Sequence, residues 1–148
     1  MSTRSVIAQT TALGFRGRYV HYDGYPTAVG EAVRLIVARD GVEVATRILT
    51  KDHYGWASVD AAGAGARNAV VGYGEYFDDQ AEGDWITNDG DSWGTEYAYA
   101  IMQEGIEVSV RIGDEWRPVA LVAYDDADGM RSAELTAQRM RLAYQIRF

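Results

Sequence analysis

Apolar positions along this chain change their period several times, and the changes divide it into elements. Arg4 to Gln9 is a short run containing β-branched residues. Gly14 breaks it, and Phe15 to His21 forms a second run of the same kind. Two such runs around a loop at Thr10–Gly14 predict an N-terminal hairpin. Asp23-Gly24-Tyr25-Pro26 is a turn signal: Pro26 disfavours helix before it and pre-sets the backbone for a helix after it. Ala28, Val29, Ala32, Val33, Ile36 and Val37 then recur at helical spacing as far as about Arg39. Asp40-Gly41 ends that helix. Val42, Ala45, Ile48 and Leu49 mark a second, shorter helix ending near Lys51. Helices joined this tightly are expected to lie as a pair over a sheet.

The second half reads mostly as strands. Tyr97, Tyr99 and Ile101 share one face of an alternating run, Thr95 to Met102, and Glu104-Gly105 turns the chain. Ile106 to Ile112 alternates throughout, with Ile106, Val108, Val110 and Ile112 inward and Glu107, Ser109 and Arg111 outward. Gly113-Asp114 is a two-residue hairpin signal, and Glu115 to Val122 returns as a strand. Pro118 cannot donate to a ladder, so this strand is expected at a sheet edge or with a bulge. Met130, Ala133, Ala137, Met140 and Tyr144 follow a 3-4-3-4 spacing and predict a C-terminal helix. Asp60 to Arg67 is small and Gly-rich, and residues 73–96 are broken by turn residues. Both read as loop, the latter with one short strand near Trp85–Thr87. The expected fold is α+β in a single domain over 1–148: a mainly antiparallel sheet, a central helix pair and a C-terminal helix.

Composition narrows the chemistry. The chain has no cysteine, which removes disulfides, thiolate metal sites and a cysteine nucleophile. No apolar run reaches membrane-spanning length, and the N-terminus lacks the apolar core of a signal segment. A cytoplasmic protein with no membrane contact is therefore expected. The net charge of −8 is uneven: residues 1–74 carry +2 and residues 75–148 carry −10. Such a field disfavours direct contact with nucleic acid and suits a basic protein surface.

Residues 73–96 concentrate that charge. They hold eight acids, no bases, and Tyr73, Tyr76, Phe77, Trp85 and Trp93. Aromatic anchors among acids are the composition of an interface that meets a basic partner. Core aromatics under a solvated acidic loop would read the same way. The candidate binding residues are Tyr73, Tyr76, Phe77, Asp78, Asp79, Asp84, Trp85, Asp89, Asp91 and Trp93. An EF-hand reading of this run fails, because aligning Gly90 with the loop glycine puts Trp85 at the first ligand position. The Gly-rich segments lack a following Lys-Ser or Lys-Thr. No metal and no cofactor are expected.

His21 and His53 each stand among tyrosines, and a catalytic role requires Asp23 or Asp52 to orient a ring. Removal of Met1 would expose Ser2, and an N-terminal serine can be a nucleophile with its own α-amine as base. Ser2-Thr3-Arg4 leading into a strand resembles the start of the choloylglycine-hydrolase branch of the N-terminal nucleophile hydrolases. The resemblance covers about the first 25 residues. It implies Ser2 in the place of the catalytic cysteine and Arg18 as the arginine of the next strand. His21 stands where that family has an aspartate, and the nearest acid is Asp23.

A broader resemblance rests on GRYVHYDGYPTAVG, DHYGW and DWITNDGDSWGTEYAY. These segments are similar to those of a family of small uncharacterised proteins of actinobacterial genomes and their phages. That family shares the Thr-Arg start, the Asp23–Pro26 turn and the Trp93–Glu96 strand entry. The resemblance spans roughly residues 1–102 and implies an accessory protein of a bacterium or phage. The leading expectation is a non-catalytic protein that binds a host protein. The alternatives are an amidohydrolase using Ser2, with Arg18, His21 and Asp23 assisting, and a phage structural or decoration subunit that self-assembles as a homo-oligomer.

Overall fold

The computed structural model describes residues 3–51, 55–62, 69–77 and 85–147. β1 (Ser5–Thr11) and β2 (Gly14–Val20) form the N-terminal hairpin. A π-helical turn (Pro26–Gly30) leads without a break into α1 (Glu31–Asp40), and α2 (Val42–Leu49) follows at once. Gly41 separates the two helices with φ of 90°, a conformation open to glycine and costly to other residues. Three short strands come next, β3 (Trp56–Val59), β4 (Ala69–Val70) and β5 (Gly74–Tyr76), and then β6 (Ile86–Thr87). β7 (Tyr97–Ile101), β8 (Gly105–Ile112) and β9 (Glu115–Ala123) form a meander before α3 (Gly129–Arg147).

Among the described residues the strands make one sheet in the order β4-β5-β3-β2-β1-β7-β8-β9, with β6 pairing beside β2. Most pairs are antiparallel, as the sequence predicts, and the fold class is α+β. Two parallel pairs are new. β1 runs parallel to β7 through Ser5↔Tyr97 to Gln9↔Ile101, and β2 runs parallel to β3 at Val20↔Trp56. The β1–β7 pair joins the N-terminal hairpin to the C-terminal meander. β9 is the sheet edge, and its register shifts opposite Val108/Ser109, next to Pro118. Both expectations raised by that proline are met at one place.

The sheet has two unequal faces. One packs Ile7, Val20, Tyr99, Val108 and Val110 against Val33 and Ile36 of α1, Leu49 of α2 and Met130 of α3. The other buries a smaller set, Val6, Ala8, Phe15, Ala98 and Ala100, with Ile86 from β6. Glu134 of α3 accepts hydrogen bonds from the Thr27 backbone N–H (3.1 Å) and hydroxyl (2.9 Å). It thereby satisfies a donor at the start of the π-turn, where the chain itself provides no cap. No helix among the described residues is long and apolar enough to cross a membrane.

Candidate functional site

The alternation of β2 decides where its functional candidates go. Phe15, Gly17 and Tyr19 share one side with the smaller core, while Arg16, Arg18 and Val20 share the helix side. Arg18 is 1% exposed, and its Nε donates to the Lys51 carbonyl at 2.9 Å. That carbonyl lies just past the C-terminus of α2, where unsatisfied oxygens and the negative end of the helix dipole favour a cation. Trp56 Nε1 donates to Leu49 O in the same place, at 2.9 Å. The Trp85 ring covers the two arginines, its centroid 3.6 Å from the Arg18 guanidinium carbon and 4.4 Å from that of Arg16. Arg18 therefore closes a helix end under an aromatic lid.

His21 lies on the other side. Its Nδ1 shares a 2.8 Å hydrogen bond with the Tyr19 hydroxyl, and its ring stacks on Phe77 with centroids 4.6 Å apart. Tyr22 meets it edge-on, also at 4.6 Å. Asp23 is exposed and adopts a left-handed φ of 55°. Its carbonyl accepts Val29 N–H, and the adjacent Gly24 N–H binds Thr3 O at 2.8 Å. Arg18 and His21 thus belong to opposite sides of the sheet, and Asp23 to the turn beyond its end. Ser2 lies outside the described residues, as do Asp52, His53, Asp78, Asp79 and Asp84.

The aromatic candidates divide between interior and surface. Tyr73 is a core residue, not the surface anchor its sequence neighbourhood predicts. Its hydroxyl donates to Asp40 at the end of α1, and Arg39 pairs with the same carboxylate while bonding Ala61 O and Gly72 O. Arg39 first, and Tyr73 second, hold the Asp40 carboxyl down to about 2. Burial, with Asp40 beside it, pushes the Tyr73 phenol up to about 12. Tyr76 is half-buried against Trp56, and Phe77 is half-buried against Tyr19 and His21.

Asp89, Asp91 and Trp93 remain exposed, on a turn anchored at both ends. At its start, Asn88 Oδ1 accepts Phe15 N–H at 2.9 Å and Asn88 Nδ2 donates to Leu13 O. At its end, Glu96 N–H binds Arg4 O at 2.8 Å. Between them Asp91 Oδ1 accepts Trp93 N–H at 2.8 Å, and Thr95 bonds back to Ser92 O through both its N–H and its hydroxyl. Trp93 is held at a left-handed φ of 55° with the residue 46% exposed, and Gly94 follows at 75°. For a bulky residue this conformation is an outlier.

The same turn leads into a cleft of about 370 Å³ lined by Thr3, Tyr25, Tyr97, Glu134, Gln138 and Arg141. Arg141 pairs with Glu96 at 3.3 Å and lies over the Tyr97 ring. Sequence reading misses this cleft, because its walls come from four separated segments and carry no shared motif. Among the described residues no three His, Asp or Glu side chains are grouped to hold a metal ion. Comparison of the chain with protein-family models, with curated proteins and with solved structures returned no match.

Proposed function

We propose that this protein is a binding module that engages a basic surface on another protein through the Asp89–Trp93 turn. The observation that carries this reading is Trp93 itself. A half-exposed indole is held in a conformation that costs energy, by a turn pinned at both ends. Backbone strain of this kind persists where the surroundings impose it, and it concentrates at functional sites. Tryptophan is among the residues that dominate interface hot spots. Asp89 and Asp91 precede it on the same turn and supply the steering field, within a half-chain of net −10. The resemblance to small actinobacterial and phage proteins implies a partner in an actinobacterial cell, with the chain made by that cell or by its phage.

The test is an affinity capture from actinobacterial lysate with a C-terminal tag. A single stoichiometric partner is expected, one whose binding falls at least tenfold with Trp93→Ala and weakens steeply with salt. A partner retained in full by Trp93→Ala overturns the reading, and so does the absence of any partner at low salt.

A further inference from the structure

The cleft beside the end of the Trp93 turn adjoins two hydroxyls that the protein itself does not use. Tyr97 is 3% exposed and Ser5 is fully buried, and they stand side by side as a register pair across β1 and β7. Ser5 Oγ has no hydrogen-bond partner among the described residues, and neither has the Tyr97 hydroxyl, which opens into the cleft. Tyr99, whose ring stacks with that of Tyr97 at 6.4 Å, does use its hydroxyl, on the Gly24 carbonyl. Buried polar groups are nearly always paired, so a buried phenol left unpaired at the floor of a cleft marks a place for a ligand. Burial raises the Tyr97 pKa against the effect of Arg141, so the phenol keeps its proton and can donate.

Three other lining groups come from one face of α3. Glu134, Gln138 and Arg141 are four and three residues apart, and so line up along the helix in the order acid, amide, base. One oxygen of Glu134 accepts from both Thr27 donors, and the carboxylate pairs with no cation among the described residues. Arg141 lies over Tyr97, donates to Glu96 O at 3.2 Å and pairs with the Glu96 carboxylate at 3.3 Å. That pair is part-exposed and leaves further N–H groups of the guanidinium for an anion. Tyr25, 39% exposed, supplies an aromatic wall. Gly24 lets its turn approach β1, since a Cβ there would come within 2.8 Å of Ser5.

We propose that this cleft binds an extended zwitterion, with an ammonium held at Glu134 and a carboxylate several bonds away held at Arg141. The backbones of these two residues lie about 10 Å apart along the helix, so an α-amino acid, whose charges share one carbon, does not reach both. The chain between the charges packs on the Tyr25 ring, and the Tyr97 hydroxyl and Gln138 amide meet polar atoms along it. A simple anion is repelled by Glu134 and a simple cation by Arg141, so only a ligand carrying both charges matches their order. The volume of about 370 Å³ suits a ligand of this size. Two sources carry this chemistry: a free ω-amino acid, and the C-terminal lysine of a protein, with its ε-ammonium and α-carboxylate.

Calorimetric titration of the full chain with glycine, β-alanine, γ-aminobutyrate, δ-aminovalerate and ε-aminocaproate tests the proposal. Affinity is expected to rise along the series, the last two binding at least about tenfold more tightly than glycine. Hexanoate and hexylamine, with one charge each, are expected to bind at least about tenfold more weakly than ε-aminocaproate. Tyr97→Phe keeps the wild-type melting temperature, because the hydroxyl it removes has no partner in the protein, and binds ε-aminocaproate several-fold more weakly. Glu134→Gln, whose amide oxygen can still accept from Thr27, loses the preference for ε-aminocaproate over hexanoate. Arg141→Gln loses the preference over hexylamine. Nα-acetyl-lysine binding more tightly than ε-aminocaproate identifies the ligand as a protein C-terminus, and the reverse order identifies a free small molecule. No saturable binding by any member of the series overturns the proposal. Binding that is indifferent to chain length, or to the loss of either charge from the ligand, overturns it too, as does wild-type affinity in Glu134→Gln.

Discussion

Trp85 covers Arg18, with its ring centroid 3.6 Å from the guanidinium carbon, and so ties β6 to β2 and to the end of α2. A cation this deeply buried needs both the carbonyl of Lys51 and the face of the indole to offset its lost hydration. Trp85→Ala should cost about 2–3 kcal/mol through lost packing and lost cation–π attraction. Arg18→Lys keeps the charge but loses the planar fork that reaches the helix end, and should cost about 1–2 kcal/mol. Urea unfolding of both variants measures this. A change below about 0.5 kcal/mol for Trp85→Ala would show that the lid is not structural.

Trp93 makes a prediction in which two truncations differ in one respect. Trp93→Ala and Trp93→Gly both remove the indole, but in the left-handed region that both occupy only alanine carries the steric cost of a Cβ. Glycine at this position should therefore be more stable than alanine, by about 1 kcal/mol, despite its greater freedom when unfolded. Both variants should lose partner binding equally. Thermal melts set against binding assays separate the two effects. Equal stability for the two variants would mean that the backbone relaxes once the ring is gone.

The pairing of Asp40 with Tyr73 predicts instability at both ends of the pH range. The Asp40 carboxyl is depressed to about 2, so its contribution is present above the ordinary carboxylate range and is lost as pH falls through that range toward 2. The Tyr73 phenol is raised to about 12, so its contribution is present below the ordinary tyrosine value and is lost as pH rises toward 12. Tyr73→Phe should remove the alkaline component and lower stability at neutral pH, since a part-buried hydrogen bond to a charged acceptor disappears. Melting temperature followed across pH, with an ultraviolet titration of the tyrosines, checks both limbs. An unchanged alkaline limb in Tyr73→Phe would assign it to another tyrosine.

Much of the fold is written in local periodicity, and the parts that are not depend on distant pairing. The strict alternation of Ile106 to Ile112 and the stripe from Ala28 to Val37 leave few other folds for those segments, and Pro118 marks the edge and bulge of β9. The parallel pairing of β1 with β7 joins residues some 90 positions apart, and no local pattern encodes it. β3, β4 and β5 are two to four residues long, too short to show a period. The π-turn at Pro26–Gly30 hides inside a helical stripe because apolar spacing does not register one widened turn. The candidate interface was legible as composition but not as placement. Trp85 turns inward because Arg16 and Arg18 lie on one side of β2, and Tyr73 because Asp40 lies within reach of its hydroxyl. Trp93 carried a local signal, since an aspartate two residues before it and a glycine just after it are turn chemistry.

Arg34 fixes the corner at which the sheet passes into α3. It is buried in α1, and its guanidinium grips both oxygens of Glu31, one turn earlier, at 2.7 and 2.6 Å. Its remaining arm donates to the Tyr124 carbonyl at 2.7 Å, beyond the end of β9. The Glu31 contact is the main reason that its pKa is raised, against the effect of burial, and Asp125 and Asp126 act in the same direction. Three donors in one plane are therefore used at once, and lysine cannot reproduce that geometry. Arg34→Lys should cost about 1–2 kcal/mol and Arg34→Met about 2–3 kcal/mol, because the methionine leaves the Tyr124 carbonyl without its donor and Glu31 without its cation. The double variant Arg34→Met, Glu31→Gln should recover part of that loss, since the second change removes the unpaired charge. Guanidinium or urea unfolding of the wild type, Arg34→Met, Glu31→Gln and the double variant gives the coupling. Strictly additive losses would show that the ion pair contributes nothing to the corner, and that Arg34 acts through the Tyr124 carbonyl alone.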